Sequence, residues 1–165
     1  QKRPYEKDAI DYHFVEEDEF EAMVARNEFL EHAVVFDNSY GTSRKTVETQ
    51  LATGKNIILE IEWQGARQIR KLIPSVVSIF VLPPSYQTLE SRLSERGDVS
   101  ESIDRRMRDA KTEISHYGEY DYLVINDNFQ AALKDLKTII NTSQLSYVQQ
   151  SQFFDEFVRE LLVDP

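Results

Sequence analysis

Apolar positions along this chain follow two rhythms: short unbroken or alternating runs, and longer stripes that return every three or four residues. The clearest run is Asn56 to Ile61, entered through Gly54-Lys55 and carrying Glu60 and Glu62 at its end. Its near-continuous Ile and Leu predict a strand buried on both faces, as parallel strands are. Val76 to Leu82 predicts a second buried strand and Tyr122 to Asn126 a third. Helical stripes separate them. Ala66, Ile69, Leu72 and Ile73 predict a helix that Pro74 ends, and Leu89 and Leu93 predict one capped at Ser85 and closed at Gly97. Asp98 and Glu101 have capping-box spacing and open a helix through Ile103, Met107, Ala110 and Ile114 to Gly118. Leu133, Leu136, Ile139 and Ile140 predict another, and a tail with Phe153, Phe154, Phe157, Val158, Leu161 and Leu162 has helical spacing that must pack on something.

The earlier part of the chain is more mixed. Tyr12 to Val15 predicts a short strand, and Asp18 with Glu21 predicts a capping box for a helix through Phe20, Met23 and Val24. Phe29 to Phe36 predicts a strand, followed by the turn-prone Asp37-Asn38-Ser39 and by Tyr40-Gly41-Thr42-Ser43. Val47, Leu51 and Ala52 mark a short helix closed by Gly54. Strands alternating with helices from residue 54 onward predict an α/β three-layer fold with parallel strands, and residues 12–36 a small mixed inset.

Composition narrows the class. With 165 residues and 41% hydrophobic content the chain is expected to form one domain with a real core. A net charge of -10 argues against a general nucleic-acid binder or a polybasic membrane anchor, so any phosphate must be held by local arginines. Zero cysteines excludes a disulfide framework and a Cys zinc site and fits a cytoplasmic setting. No apolar run approaches the roughly eighteen residues of a membrane span. His13, His32 and His116 lack metal-ligand spacing, so no metal site is expected.

Candidate chemistry lies in three places. Glu60 and Glu62, at period two, share a face at a strand's carboxyl end, where open α/β sheets bind ligands; the alternative is a pair of solvated charges. Arg92, Arg96, Arg105, Arg106 and Arg108 flank the Gly97-Asp98 turn and form either a phosphate clamp or a solvated face paired with Glu90, Glu95, Glu101 and Asp104. Arg3, Tyr12 and Tyr40 could converge on a phosphate, with Glu31 accepting from a partner that has two adjacent donors. A guanine edge is such a partner and adenine is not. Taken singly, each tyrosine is equally a core residue with a wet hydroxyl.

The order of these segments is more specific than any one of them. Arg3-Pro4, Asp11-Tyr12-His13-Phe14-Val15, Phe29-Leu30-Glu31-His32-Ala33, Tyr40-Gly41-Thr42-Ser43, Leu59-Glu60-Ile61-Glu62-Trp63-Gln64-Gly65, Leu82-Pro83-Pro84-Ser85, Arg92-Leu93 with Arg96-Gly97, and Tyr120-Asp121-Tyr122 with Asn126-Asp127 together closely resemble guanylate kinase, up to about Ser143. The resemblance implies a three-layer P-loop-type kinase fold with a parallel sheet, a small mixed GMP-binding inset and a helical lid. It implies transfer of the γ-phosphoryl of ATP to GMP or dGMP, with magnesium required. On that pattern Arg3, Tyr12 and Tyr40 hold the GMP phosphate, Glu31 and Thr42 beside Gly41 read the guanine, and Glu60 and Glu62 lie between the nucleotides, where many members carry Asp. Arg92, Arg96, Arg106 and Arg108 resemble the lid arginines, and Asn126 and Asp127 the loop beside adenine. The implied organisation is 1–53 for GMP binding, 54–84 with 119–143 as core, 85–118 as lid and 144–165 as a helical tail, with a homo-oligomer possible.

One departure shapes the expectation. The family opens with a strand, a G-x-x-x-x-G-K-[ST] loop and a helix, and these residues contain none of them; Gly54-Lys55 is followed by Asn56 and lacks the earlier glycine. Without those amides, that lysine and that hydroxyl, the chain alone is expected to have negligible kinase activity, as a cut guanylate kinase or a naturally truncated relative. Two rivals stand beside it. One is a guanylate-kinase-like scaffold module binding phosphopeptides, which would have no need of Glu31, Thr42 and the lid arginines; the other is a kinase for AMP or UMP.

Overall fold

The computed structural model describes residues 7–9, 12–35, 37–95 and 100–163. The chain divides into two compact units, Gln1–Pro74 and Ser75–Pro165, each with its own elements.

In the first unit, helix α1 spans Glu17–Ala25. The Asp18–Glu21 capping box is corrected here: the N-cap is Glu16, with no side-chain cap, and Asp18 lies inside the first turn with Glu17 and Glu19. Three acidic groups at that end favour the helix by meeting its positive pole instead. Arg26 follows the helix and hydrogen-bonds Glu28 and Glu19, which push its guanidinium above its ordinary value and tie α1 to the start of the next strand. Strands β1, Phe29–Val35, and β2, Asn38–Ser43, form an antiparallel hairpin. Asp37 makes its turn at a positive φ of 63°, which Asp tolerates better than most residues. Ser43 then caps helix α2, Arg44–Ala52, by accepting from Thr46 N at 3.3 Å.

The predicted strand Asn56 to Ile61 is also corrected. Among the described residues nothing pairs with 55–62, which carry no ladder, and a strand exists only through such hydrogen bonds. The segment keeps a period of two: Ile57, Leu59 and Ile61 are partly covered, whereas Ile58 is 74% exposed and Glu60 and Glu62 face the same way. Tyr12 to Val15 likewise forms no strand, only an isolated bridge between Asp8 and Tyr12. Helix α3, Trp63–Leu72, closes the unit, with the Arg67 guanidinium 4.6 Å from the Trp63 ring centre. Its core gathers Leu30, Val47 and Ile69, and Phe20 stacks on Phe29 at 4.8 Å.

The second unit is built on two parallel strands, β3, Ile79–Leu82, and β4, Tyr122–Ile125. Ser78 donates both its N–H and its hydroxyl to Asp121 Oδ2, at 2.8 and 2.6 Å, which sets where the pair begins. Helix α4, Tyr86–Glu95, starts where the Ser85 hydroxyl accepts from Thr88 N at 3.0 Å. Helix α5 spans Ser100–Ser115 and stops short of Gly118, a 3-10 turn at Tyr117–Glu119 intervening; the expected Gly97 stop and Asp98 cap lie outside the described residues. Asn128 caps α6, Phe129–Ser143, and α7 covers Tyr147–Leu161. Leu93, Ala110, Val124 and Ala132 are buried, but Val81, Leu123 and Ile125 are open. On α7, Phe154, Phe157 and Leu161 are exposed as well, as is Leu162 just after it, so these apolar residues of the tail do not cover a core.

Candidate functional site

The β1–β2 hairpin carries the first cluster. Strict alternation would send Leu30 and Glu31 to opposite faces, yet both are buried. The ladder explains it: Phe29 pairs with Ser43 and Glu31 with Thr42, so β1 spends one extra residue at Leu30. Such a bulge re-aims the side chain that follows it. Glu31, only 4% exposed, therefore turns inward with Ala33.

Directly paired residues share a face, which places Glu31 with Thr42 and Ala33 with Tyr40 on one side of the hairpin. Thr42 Oγ1 donates to Glu31 Oε1 at 2.6 Å. Among the described residues Thr42 is the donor to this carboxylate, which has about four acceptor positions. Two residues along β2 the Tyr40 ring meets the Tyr12 ring edge-on, centres 5.8 Å apart, and Tyr12 meets Phe14 at 5.9 Å. Both tyrosines are exposed. Gly41, opposite His32, leaves room for Phe29, whose ring would lie 2.7 Å from any Cβ there.

Thus Tyr12, Glu31, Tyr40 and Thr42, from separate stretches of sequence, meet on one surface of the first unit. It is an aromatic and hydroxyl patch ending at a buried acceptor. Arg3 lies outside the described residues. Glu60 and Glu62 are exposed, and Glu62 is the residue from which α3 starts.

The second unit holds the other predicted residues. Arg92 on α4 donates Nη1 to Asn126 O at 2.8 Å and Nη2 to Asp127 O at 3.4 Å. One predicted arginine is thereby tied to both predicted loop residues, through main-chain carbonyls that no sequence pattern displays. Arg106 is half-buried on α5. Arg108 is exposed and lines an open hollow of about 500 Å³ with Glu90, Asp104, Met107 and Lys111. Arg96 lies outside the described residues. Two residues that the sequence reading passed over, Gly65 and Gln68 on α3, stand against the Glu31 segment. The Gln64-Gly65 pair was the one signal for them.

An α/β chain with a buried carboxylate acceptor, a tyrosine pair and arginines on two successive helices has the makings of an enzyme that handles a phosphorylated base. Comparison with known proteins makes this specific. The guanylate kinase family profile matches residues 1–143. Guanylate kinase of Alkalilimnicola ehrlichii is 50% identical over 161 residues, 97% of this chain and 79% of that protein. Guanylate kinase of Escherichia coli K12 is 52% identical over 165 residues, 99% of this chain and 80% of that protein. The crystal structure of guanylate kinase from Anaplasma phagocytophilum is also similar, with a TM-score of 0.79 and 33% identity over 90% of this chain and 73% of that one. This chain belongs to the guanylate kinase family, whose members are nucleoside monophosphate kinases, and its fold is the α/β kinase fold of that family.

Proposed function

We propose that the chain binds GMP or dGMP on the hairpin face of the first unit, as acceptor for the γ-phosphoryl group of ATP in the reaction that yields GDP or dGDP and ADP. Transfer itself needs the G-x-x-x-x-G-K-[ST] loop, which these residues do not contain, so this chain alone is expected to bind and not to turn over. The observation that carries this is Glu31. A carboxylate buried to 4% exposure, with Thr42 as its donor among the described residues, keeps acceptor positions for a ligand, because buried polar groups are costly unless hydrogen-bonded. Guanine offers N1–H beside the 2-amino group and fits a carboxylate with two bonds. Adenine presents an acceptor at N1 and does not.

Tyr12 and Tyr40, with Arg3, are assigned to the acceptor phosphate, Glu31 and Thr42 beside Gly41 to the base, and Glu60 and Glu62 to the position between the nucleotides. Arg96, Arg106 and Arg108 are assigned to the phosphates during transfer, while Arg92 braces Asn126 and Asp127 beside adenine. These roles follow an organisation of 1–53 for GMP, 54–84 with 119–143 as core, 85–118 as lid and 144–165 as tail. A phosphate oxygen of GMP attacks the γ-phosphorus of ATP, the bond to the β-phosphate oxygen breaks, and ADP leaves. Alignment and charge neutralisation lower the barrier, without a protein nucleophile. Magnesium would come with the donor nucleotide and offset charge on its phosphates. The cytoplasm supplies both nucleotides, and no helix among the described residues is long and apolar enough to cross a membrane.

Titration calorimetry of this chain with GMP, AMP, UMP and a phosphoserine peptide tests the assignment. GMP is expected to bind most tightly. Equal binding of AMP or UMP, or tighter binding of the peptide, would overturn it.

A further inference from the structure

We propose that Gly65 and Gln68 on α3 are positioning residues that set the base-reading geometry of Glu31, and so fix the preference for a purine bearing a 2-amino group. This rests on the assignment of Glu31 to the base.

The two residues are three apart in α3 and so lie on the same side of it. Gln68 pairs with both outward main-chain groups of His32: its Nε2 donates to His32 O at 2.7 Å, and its Oε1 accepts from His32 N at 3.2 Å. One side-chain amide thus imitates a neighbouring strand on the edge of β1 that β2 does not use. Glu31 is the residue just before that clamped position, so the clamp fixes its main chain relative to α3.

Gly65, one turn nearer the start of α3, receives the end of the same side chain. A Cβ there would overlap Glu31 Oε2 and stand 2.9 Å from Cδ and 3.4 Å from Cγ. The carboxylate therefore rests on a bare Cα, while its other oxygen accepts from Thr42 at 2.6 Å. With one oxygen accepting from a strand hydroxyl and the other occupying the space a Cβ on Gly65 would need, the carboxylate plane has little freedom to rotate. It also lies against the first turn of a helix, where the dipole favours negative charge.

This arrangement separates positioning from folding. In Gly65→Ala the atoms the new methyl would crowd all belong to the Glu31 side chain and none to backbone, and Ala is the better helix former, so the fold is expected to survive while Glu31 moves. What is lost is the alignment needed for two parallel hydrogen bonds to one base edge.

The test compares GMP, inosine monophosphate and ribose 5-phosphate by calorimetry on this chain and on two variants, with thermal melting alongside. Inosine monophosphate keeps N1–H and lacks the 2-amino group; ribose 5-phosphate has no base. The unmodified chain is expected to prefer GMP. Gly65→Ala should weaken GMP by about tenfold and bring GMP and inosine monophosphate close to equal, with ribose 5-phosphate affinity and melting temperature unchanged. Gln68→Leu should shift the ratio the same way by a smaller factor.

Unaltered GMP preference in Gly65→Ala overturns the positioning role while leaving the base assignment intact. Parallel loss of all three ligands with a lower melting temperature overturns it too, as a purely structural effect. An unmodified chain with no preference for GMP over inosine monophosphate removes the base assignment, and this proposal with it.

Discussion

Thr42 donates its hydroxyl proton to Glu31 across 2.6 Å, from the position directly paired with it in the hairpin. A hydrogen bond to a charged group contributes about 1.5–3 kcal/mol, so Thr42→Val leaves Glu31 buried without its protein donor. GMP affinity is expected to fall by about tenfold, with calorimetry as the measure.

Changing Glu31 itself is more severe. Glu31→Gln replaces one acceptor oxygen with an NH₂ that confronts the guanine donors, and GMP affinity should drop by roughly 10²-fold or more. AMP, measured in the same titration, should not weaken. An equal loss for both nucleotides would remove Glu31 from base recognition.

Arg92 holds the carbonyls of Asn126 and Asp127. Arg92→Ala should free that loop, and amide hydrogen exchange at Asp127 and Asn128 should quicken while β1 and β2 keep their protection. Unchanged exchange at 127–128 would mean the clamp is not what orders the loop.

In Asp121→Ala, the N–H and hydroxyl of Ser78, a buried residue, lose their acceptor at the start of the parallel pair. The expected loss of stability is about 2 kcal/mol, read from urea unfolding. GMP affinity should stay as it was, since Asp121 belongs to the second unit.

Gly54 lies at a φ of 77° with open space where a Cβ would go. Any cost of Gly54→Ala is therefore conformational and not steric, about 1 kcal/mol. Urea unfolding checks this, and a much larger loss would point to a contact beyond the turn.

Several features of the fold were legible because they rest on local chemistry. Pro74 and Gly54 mark helix ends, Ser85 marks a helix start, and the stripe from Ala66 to Ile73 required α3; the caps at Ser43 and Asn128 came only with the structure. β2 was not legible as a strand: Asn38-Ser39-Tyr40-Gly41-Thr42-Ser43 has no apolar alternation, and it is a strand because β1 supplies the ladder. Asn56 to Ile61 failed in the opposite direction. Its apolar residues asked for a buried strand, but composition cannot provide the pairing partner on which a strand depends.

The candidate residues divide the same way. Residue types by themselves determined which side chains could donate to or accept from a ligand, because hydrogen-bonding capacity belongs to the side chain wherever it lies. Only the tertiary structure decided how they meet. The extra residue at Leu30 turns Glu31 inward against the rule of alternation, and Gly65 and Gln68, thirty-odd residues away, complete its setting. A bulge and a close approach depend on the pairing and packing of distant segments, and neither has a period that a linear sequence can display.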